Sequence, residues 1–367
     1  MKIGILGAGS WGTALTVLLS DNGHDITVWS VDEKEIEMLD TKREHLTKLP
    51  GVKLPDSVRF TTDEQEVCKD AELLVMVVPS PFIRSTAKRV APYITEAQTI
   101  VNVSKGIEDE SLKTLTEVIH EEIPQCKVGV LSGPSHAEEV GKRMPTTVVA
   151  GAKDEKTALM IQDAFMNDYF RVYASPDVIG IELGGALKNV IALAAGVGDG
   201  LGCGDNAKAA IITRGIAEII RLGTAMGGKL ETFAGLSGIG DLIVTCESKH
   251  SRNRKAGFLM GQGKTYKEAM DEVQMVVGFV NSGIMKLRQA IGIIMGANVG
   301  TTITSWILSL SGIEGDSLVM QLLKPSSFSA VFAFVGIILL MFCNSEKKKH
   351  LGTIFLGFGI LMVGMDQ

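Results

Sequence analysis

At 367 residues, 46% hydrophobic and 21% charged, the chain has ample material for two or three domains with buried cores. Its apolar content excludes disorder, and the lack of a Gly-X-Y period excludes a collagen-like structure. With 36 basic against 42 acidic side chains, a net charge of −6 and no basic stripe, it argues against nucleic acid as a partner.

The chain opens with a short apolar run, Lys2-Ile3-Gly4-Ile5-Leu6, which predicts a strand and not a signal peptide. Gly7-Ala8-Gly9-Ser10-Trp11-Gly12 comes next, and residues 13–20 read as a helix. A G-x-G-x-x-G run between strand and helix is the fingerprint of dinucleotide binding. Gly7 serves the tight turn, Gly9 lets a pyrophosphate approach the backbone, and Gly12 permits close helix–strand packing. The helix start then offers unpaired N–H groups and partial positive charge to phosphates. A second strand is expected at 25–29. Trp29-Ser30-Val31 puts no acid at its very end, and Asp32 comes slightly later, so NAD and NADP both stay open as cofactor.

Further strands are expected at 72–78, 99–103, 127–131, 146–150 and 171–173, alternating with helical segments. Such alternation implies α/β architecture: a Rossmann-type, doubly wound, mostly parallel sheet over residues 1–176. Val77-Val78-Pro79-Ser80 and Val103-Ser104-Lys105-Gly106 leave that sheet at its carboxyl edge, where ligands bind. From 178 to about 272 the pattern turns helical and predicts an all-α substrate domain, residues 177–276, facing the cofactor.

Lys188 shares the apolar stretch 181–197 with one other charge, Glu182. It is either a buried proton donor and acceptor, tuned by desolvation and nearby cations, or a side chain snorkelling to the surface. Asn189 adjoins it as an orienting amide. Gly235-Leu236-Ser237-Gly238-Ile239-Gly240-Asp241 is a glycine-rich turn ending in an acid, with Thr245 one turn onward. Asp241 either holds Lys188 by a charge-assisted hydrogen bond or caps a helix. Ser251-Arg252-Asn253-Arg254-Lys255 gathers cations and short donors, which suits an anionic group or a solvated turn.

The last part of the chain differs in character. Residues 277–367 hold six basic and four acidic side chains, so the part before them carries a net −8. Residues 289–312, 327–343 and 351–365 are apolar, and the first two reach the roughly 17 residues that a bilayer span needs. Lys286, Arg288 and Lys347-Lys348-Lys349 would all be cytoplasmic by the positive-inside rule, as two crossings require. Buried core helices are the competing reading. Cys68, Cys126, Cys203, Cys246 and Cys343 form no CxxC pair, so neither a metal site nor a disulfide framework is expected, and the thiols suit the cytoplasm.

Taken in order, the motifs resemble the bacterial NAD(P)-dependent glycerol-3-phosphate dehydrogenases over residues 1 to about 276. The likeness is carried by Gly7 to Gly12 with Ser10-Trp11, Ser104-Lys105-Gly106, Leu131-Ser132-Gly133-Pro134-Ser135-His136-Ala137-Glu138, Leu187-Lys188-Asn189, Gly238-Ile239-Gly240-Asp241-Leu242 and Ser251-Arg252-Asn253-Arg254. The resemblance implies reversible reduction of dihydroxyacetone phosphate to sn-glycerol 3-phosphate, feeding glycerophospholipid synthesis. It implies Lys188 as proton donor and acceptor at the C2 oxygen, with Lys105 and Asp241 beside it in the catalytic group. Lys105, Gly133, Ser135, Lys188, Asn189, Asp241, Thr245, Ser251, Arg252 and Asn253 would surround the substrate. Gly7, Gly9, Ser10, Trp11, Gly12, Lys105, Ala137 and Arg252 would hold the cofactor. A dehydrogenase of unphosphorylated hydroxy acids is a rival reading, against which the 251–254 cluster argues. A membrane protein whose soluble half binds nucleotide without turnover is another.

Past 276 this likeness ends, and Gly278 stands where the family carries a cofactor-binding glutamate. The remaining segment resembles sodium/phosphate cotransporters, through Val277-Gly278-Phe279-Val280-Asn281-Ser282-Gly283, Leu287-Arg288-Gln289-Ala290-Ile291-Gly292 and Gly296-Ala297-Asn298-Val299-Gly300-Thr301-Thr302. The small polar run 298–304 suits ion coordination or close helix packing. That family's Gln-Ser-Ser-Ser motif and second repeat are absent, so independent transport is not expected and the join reads as a rearrangement or an assembly artefact. The expectation is a cytoplasmic catalytic part with a membrane-helix tail that could anchor it; a homodimer stays open.

Overall fold

The computed structural model describes residues 1–109 and 111–273, together with residues 334, 335, 337–339, 352 and 355. The chain divides into two compact units, Met1–Ala290 and Ile291–Gln367, and every candidate site residue belongs to the first. Apart from those seven positions after 273, the expected bilayer spans and the cotransporter-like segment, with Gly278, lie outside the described residues.

Within the first unit the strands are β1 (Lys2–Leu6), β2 (Asp25–Trp29), β3 (Glu44–His45), β4 (Leu49–Lys53), β5 (Arg59–Thr61), β6 (Leu73–Met76), β7 (Thr99–Asn102), β8 (Lys127–Ser132), β9 (Thr146–Ala152) and β10 (Phe170–Ser175). Eight of them form one sheet in the order β10-β9-β8-β7-β6-β1-β2-β5, while β3 and β4 pair separately. Neighbours in the large sheet run parallel except β8 and β9, where Ser132 faces Val149 and Gly129 faces Ala152 in antiparallel register. The β3–β4 pair and the short edge strand β5 are additions to the strands expected from sequence.

Alternation along each strand sends apolar side chains to both faces, so the sheet needs a helical layer on each side. Ile3 and Ile5 pack with Leu15 and Leu18 of the Ser10–Asp21 helix and with Phe165 of the Glu155–Phe165 helix. Leu6, Leu74 and Met76 point the other way, toward Ile83 and Val90 of the Ile83–Val90 helix and Val118 of the Leu115–Glu122 helix. Between β2 and β6, β1 marks the place where strand order reverses, and the crevice beyond its carboxyl end is the ligand position of such sheets.

After Ser175 the described elements are helices. Asp177 caps the Val178–Gly200 helix, accepting from the N–H of Gly180 (3.0 Å), and its other oxygen accepts from Lys229 N (2.8 Å) and Thr232 Oγ1 (2.6 Å). That helix alone among the described residues is long and apolar enough to cross a bilayer, but 72% of its apolar window is buried. It is the core helix of this part, packed through Leu183, Ala186 and Leu187 against Ile216 and Ile219 of the Gly204–Ala225 helix and against Phe233 and Leu242. It also crosses the Arg252–Gly261 helix backbone to backbone. A Cβ on Gly196 would lie 2.0 Å from the Arg254 carbonyl oxygen, and one on Gly257 the same distance from that of Leu193. This approach sets residues 251–253 alongside the helix that carries Lys188.

Candidate active site

The turn after β1 is shaped by what its glycines lack. Gly7 has φ of 126°, donates its N–H to the Trp29 carbonyl (2.9 Å), and has no room for a Cβ, which would sit 3.0 Å from Val77 O. A Cβ on Gly12 would strike the Gly7 carbonyl oxygen at 2.1 Å. Gly9 is different: a Cβ there would meet nothing within 4 Å. Gly9 also begins the Ser10–Asp21 helix without any side-chain cap. An open cradle beside uncapped helical N–H groups fits a dinucleotide pyrophosphate. Trp11 is half-buried against the sheet core, and the Ser10 hydroxyl donates to Lys48 O (2.8 Å).

At the end of β2, Val31 is 67% exposed, and Asp32 caps the Glu33–Lys42 helix, accepting from Lys34 N (2.9 Å). Burial would raise the Glu35 carboxyl, but hydrogen bonds from His45, Lys48 and Ser30 hold it down at about 2.

The charged centre is assembled from residues far apart in sequence. Lys188 is 6% exposed and Asp241 1%, so Lys188 does not snorkel. The Lys188 ammonium donates to Asp241 Oδ1 and to Thr245 Oγ1 (2.7 Å), whose hydroxyl donates in turn to Asp241 O (2.6 Å). Lys105, on the loop after β7, donates to Asp241 Oδ2 (2.5 Å) and to Gly133 O (2.9 Å). Asp241 opens the Asp241–Glu247 helix, which Gly240 precedes at the cap position, so its carboxylate serves the two lysines. Burial pushes the Lys188 ammonium down to about 7, with Lys105 adding to the fall and Asp241 opposing it. Burial alone would raise Asp241, but Lys105 and Lys188 hold it below the usual carboxylate range. Two ammonium groups sharing one carboxylate leave the centre net positive while both stay protonated.

Around it, Gly133 (φ of 151°) presents its carbonyl to Lys105 and to the Ser135 hydroxyl (3.0 Å). Ala137 is the buried first residue of the Ala137–Val140 helix, and Asn189 is buried beside Lys188. Ser251 caps the Arg252–Gly261 helix, accepting from Arg254 N (3.2 Å), which leaves its own O–H to donate elsewhere. Arg252 and Asn253 sit in that first turn, Arg252 exposed and without a salt bridge among the described residues. Arg254 is removed from the cation cluster by Asp199, to which Nε donates at 2.9 Å. No group of three or more His, Cys, Asp or Glu suited to a metal occurs among the described residues.

Sequence reasoning leaves four neighbours unassigned. Glu182, fully buried on the Lys188 helix, accepts from Thr116 N (2.9 Å) and Thr116 Oγ1 (2.5 Å) and from Asn102 Nδ2 (3.4 Å). Burial raises its pKa against those hydrogen bonds. Asn102 also brackets Ser104, accepting from its N–H and donating to its carbonyl, both at 3.1 Å, which shapes the turn that presents Lys105. Ser132 and His136 flank Gly133, and their spacing from that residue was the available signal.

Comparison with known proteins adds two family matches. Residues 2–158 match the N-terminal model of NAD-dependent glycerol-3-phosphate dehydrogenase, and residues 177–310 match the C-terminal one. The second match extends to residue 310, which corrects the boundary at about 276 expected from the sequence motifs. The chain is 61% identical over 292 residues to a glycerol-3-phosphate dehydrogenase (NAD(P)+) of Agathobacter rectalis, covering 80% of this chain and 86% of the relative. It is 52% identical to that of Bacillus subtilis, covering 75% and 81%. Among solved structures, glycerol-3-phosphate dehydrogenase of Coxiella burnetii superposes with a TM-score of 0.73 at 30% identity, over 97% of this chain and 98% of that one.

Proposed function

The chain belongs to the NAD-dependent glycerol-3-phosphate dehydrogenase family, and from that premise we propose that it interconverts dihydroxyacetone phosphate and sn-glycerol 3-phosphate, supplying glycerophospholipid synthesis. It is an NAD(P)-dependent oxidoreductase. The observation that carries the reading is the buried Lys188–Asp241 pair with half-buried Lys105 joined to it.

The Gly7–Gly12 turn, the backbone around Ser10 and Trp11, Ala137, Lys105 and Arg252 would hold the cofactor. When bound, the nicotinamide supplies the hydride that reaches C2 of the ketone. As C2 is reduced its oxygen gathers negative charge, and the positive lysine pair, of which Lys188 is buried, stabilises that charge where it forms. Lys188 then gives its proton to the oxygen. Neutral Lys188 beside Asp241 and Lys105 leaves the centre without net charge, so the donor is not stranded as an unpaired ion. In the reverse direction Lys188 takes the proton back. Thr245 keeps the amine aimed, and Asn189 would act beside it as an orienting amide. Arg252, Asn253 and Ser251 bind the phosphate, which takes no part in bond making and serves to orient C2; Gly133 and Ser135 line the same cavity.

An assay of ketone-dependent NADH and NADPH oxidation tests this reading. Turnover with dihydroxyacetone phosphate and not with unphosphorylated hydroxy-ketones or keto acids supports it; no turnover in a folded chain rejects it.

For residues 277–367, of which 277–310 also fall within the dehydrogenase family match, the reading of a membrane-helix tail resembling a cotransporter fragment, joined to a cytoplasmic catalytic part, rests on their sequence alone. The drop in charge and the apolar runs support it. Cell fractionation that recovers the whole chain in the soluble fraction rejects the anchor. An uninterrupted natural junction at codons 276–279 in independent isolates rejects the artefact.

A further inference from the structure

Two segments beside the charged centre hold buried side-chain polar atoms without a partner among the described residues: Ser132 Oγ and His136 Nε2 on either side of Gly133, and Ser237 Oγ on the turn that leads to Asp241. A buried polar group left unpaired costs about 1–3 kcal/mol, so such atoms beside a reactive centre call for a ligand atom. The Ser132 hydroxyl faces the Lys188 helix, where a Cβ on Gly185 would lie 2.8 Å from it. His136 is the longest of the three, and Lys188, Lys105 and Asp241 all act on its ring. Its backbone opens the Ala137–Val140 helix, and its ring lies 5.9 Å, centroid to centroid, from that of His250. His250 immediately precedes Ser251 and Arg252. The imidazole therefore stands between the lysine pair and the residues assigned to the phosphate.

We propose that His136 is a further substrate-binding residue, its Nε2–H donating to a phosphate oxygen of the bound triose phosphate. This rests on the reading of the site given above. The reacting oxygen already has two ammonium groups, whereas a phosphate offers more acceptor positions than Arg252, Asn253 and Ser251 fill. Burial, together with Lys188 and Lys105, favours the neutral imidazole, which keeps one N–H to donate and adds no further charge to the positive centre.

The test compares the full chain with His136→Phe, which keeps a ring of similar size and removes both nitrogens. The KM for dihydroxyacetone phosphate and the inhibition constant of inorganic phosphate are each expected to rise roughly tenfold. The kcat should stay within about threefold, and the KM for NADH should not change. Unchanged KM and phosphate inhibition overturn the assignment, and so does an equal rise in the KM for NADH, which would mark a displaced Ala137. If His136→Phe loses the parent's melting transition, His136→Ala is measured for the same constants, and the same outcomes support or overturn the assignment. A parent chain without turnover defeats the functional reading itself, whereas an active parent with unaltered variant constants defeats the role of His136 alone.

Discussion

Before Asp177 the ligand-facing surface is mostly backbone. Gly7, Gly9 and Gly12 contribute by having no side chain, and the Ser10–Asp21 helix offers uncapped N–H groups. After Asp177 the surface is side chains: a lysine forced into an apolar helix, a carboxylate shared between two cations, and a helix start bearing Ser251 and Arg252. The first kind of site depends on shape and hardly on protonation. The second depends on burial, because desolvation brings Lys188 into the range where it exchanges a proton near neutrality. Substitutions should therefore fail differently in the two regions.

The largest effect is expected for Lys188→Ala, with kcat for ketone reduction falling about 10³-fold while the KM for dinucleotide changes little, measured by steady-state kinetics. A variant within tenfold of the parent would place proton transfer elsewhere. Next comes Asp241→Asn, with kcat down about 10²-fold and a displaced pH profile. Reduction needs the Lys188 ammonium, so in the parent kcat should fall as pH rises through about 7, while oxidation of the alcohol rises over the same interval. Asp241 opposes the lowering of Lys188, so its loss should move both limbs toward acid. Arg252→Ala should raise the KM for the phosphorylated ketone by roughly tenfold to a hundredfold, with a smaller loss in kcat.

The smallest effects draw the sharpest line between the regions. Gly9→Ala meets no protein atom, so its melting temperature should match the parent's while the KM for NADH rises roughly tenfold. Gly12→Ala forces a Cβ against the Gly7 carbonyl and should lower the melting temperature as well. Equal thermal behaviour of the two variants would remove the distinction between a ligand glycine and a packing glycine.

This contrast also governs how much the sequence reveals. The glycine turn and the parallel strands are local patterns, and β1, β2 and β6 to β10 occur where apolar runs predict them. β3 is only Glu44-His45, and β5 only Arg59-Phe60-Thr61, too short and polar for any alternation to register. At the site, a lone lysine among apolar neighbours is visible in the chain, but whether it snorkels is decided by the packing of other elements around its helix. The junction of Lys105 and Asp241 spans 136 positions, which no spacing rule connects. Arg254 looks equivalent to Arg252 until Asp199 claims it. The role of His136 depends on an unpaired atom, a property of the folded molecule alone.

The antiparallel step from β8 to β9 has a further consequence for this enzyme. A parallel successor would have required the chain to travel back to the opposite rim of the sheet before re-entering, carrying residues 133–145 away with it. Because the direction flips, Gly133 and Ser135 stay beside Lys105, while the same stretch runs on to Arg143, which pairs with Asp21 at the far end of the Ser10–Asp21 helix. One antiparallel step thus ties the charged centre to the remote end of the helix that begins at the glycine turn.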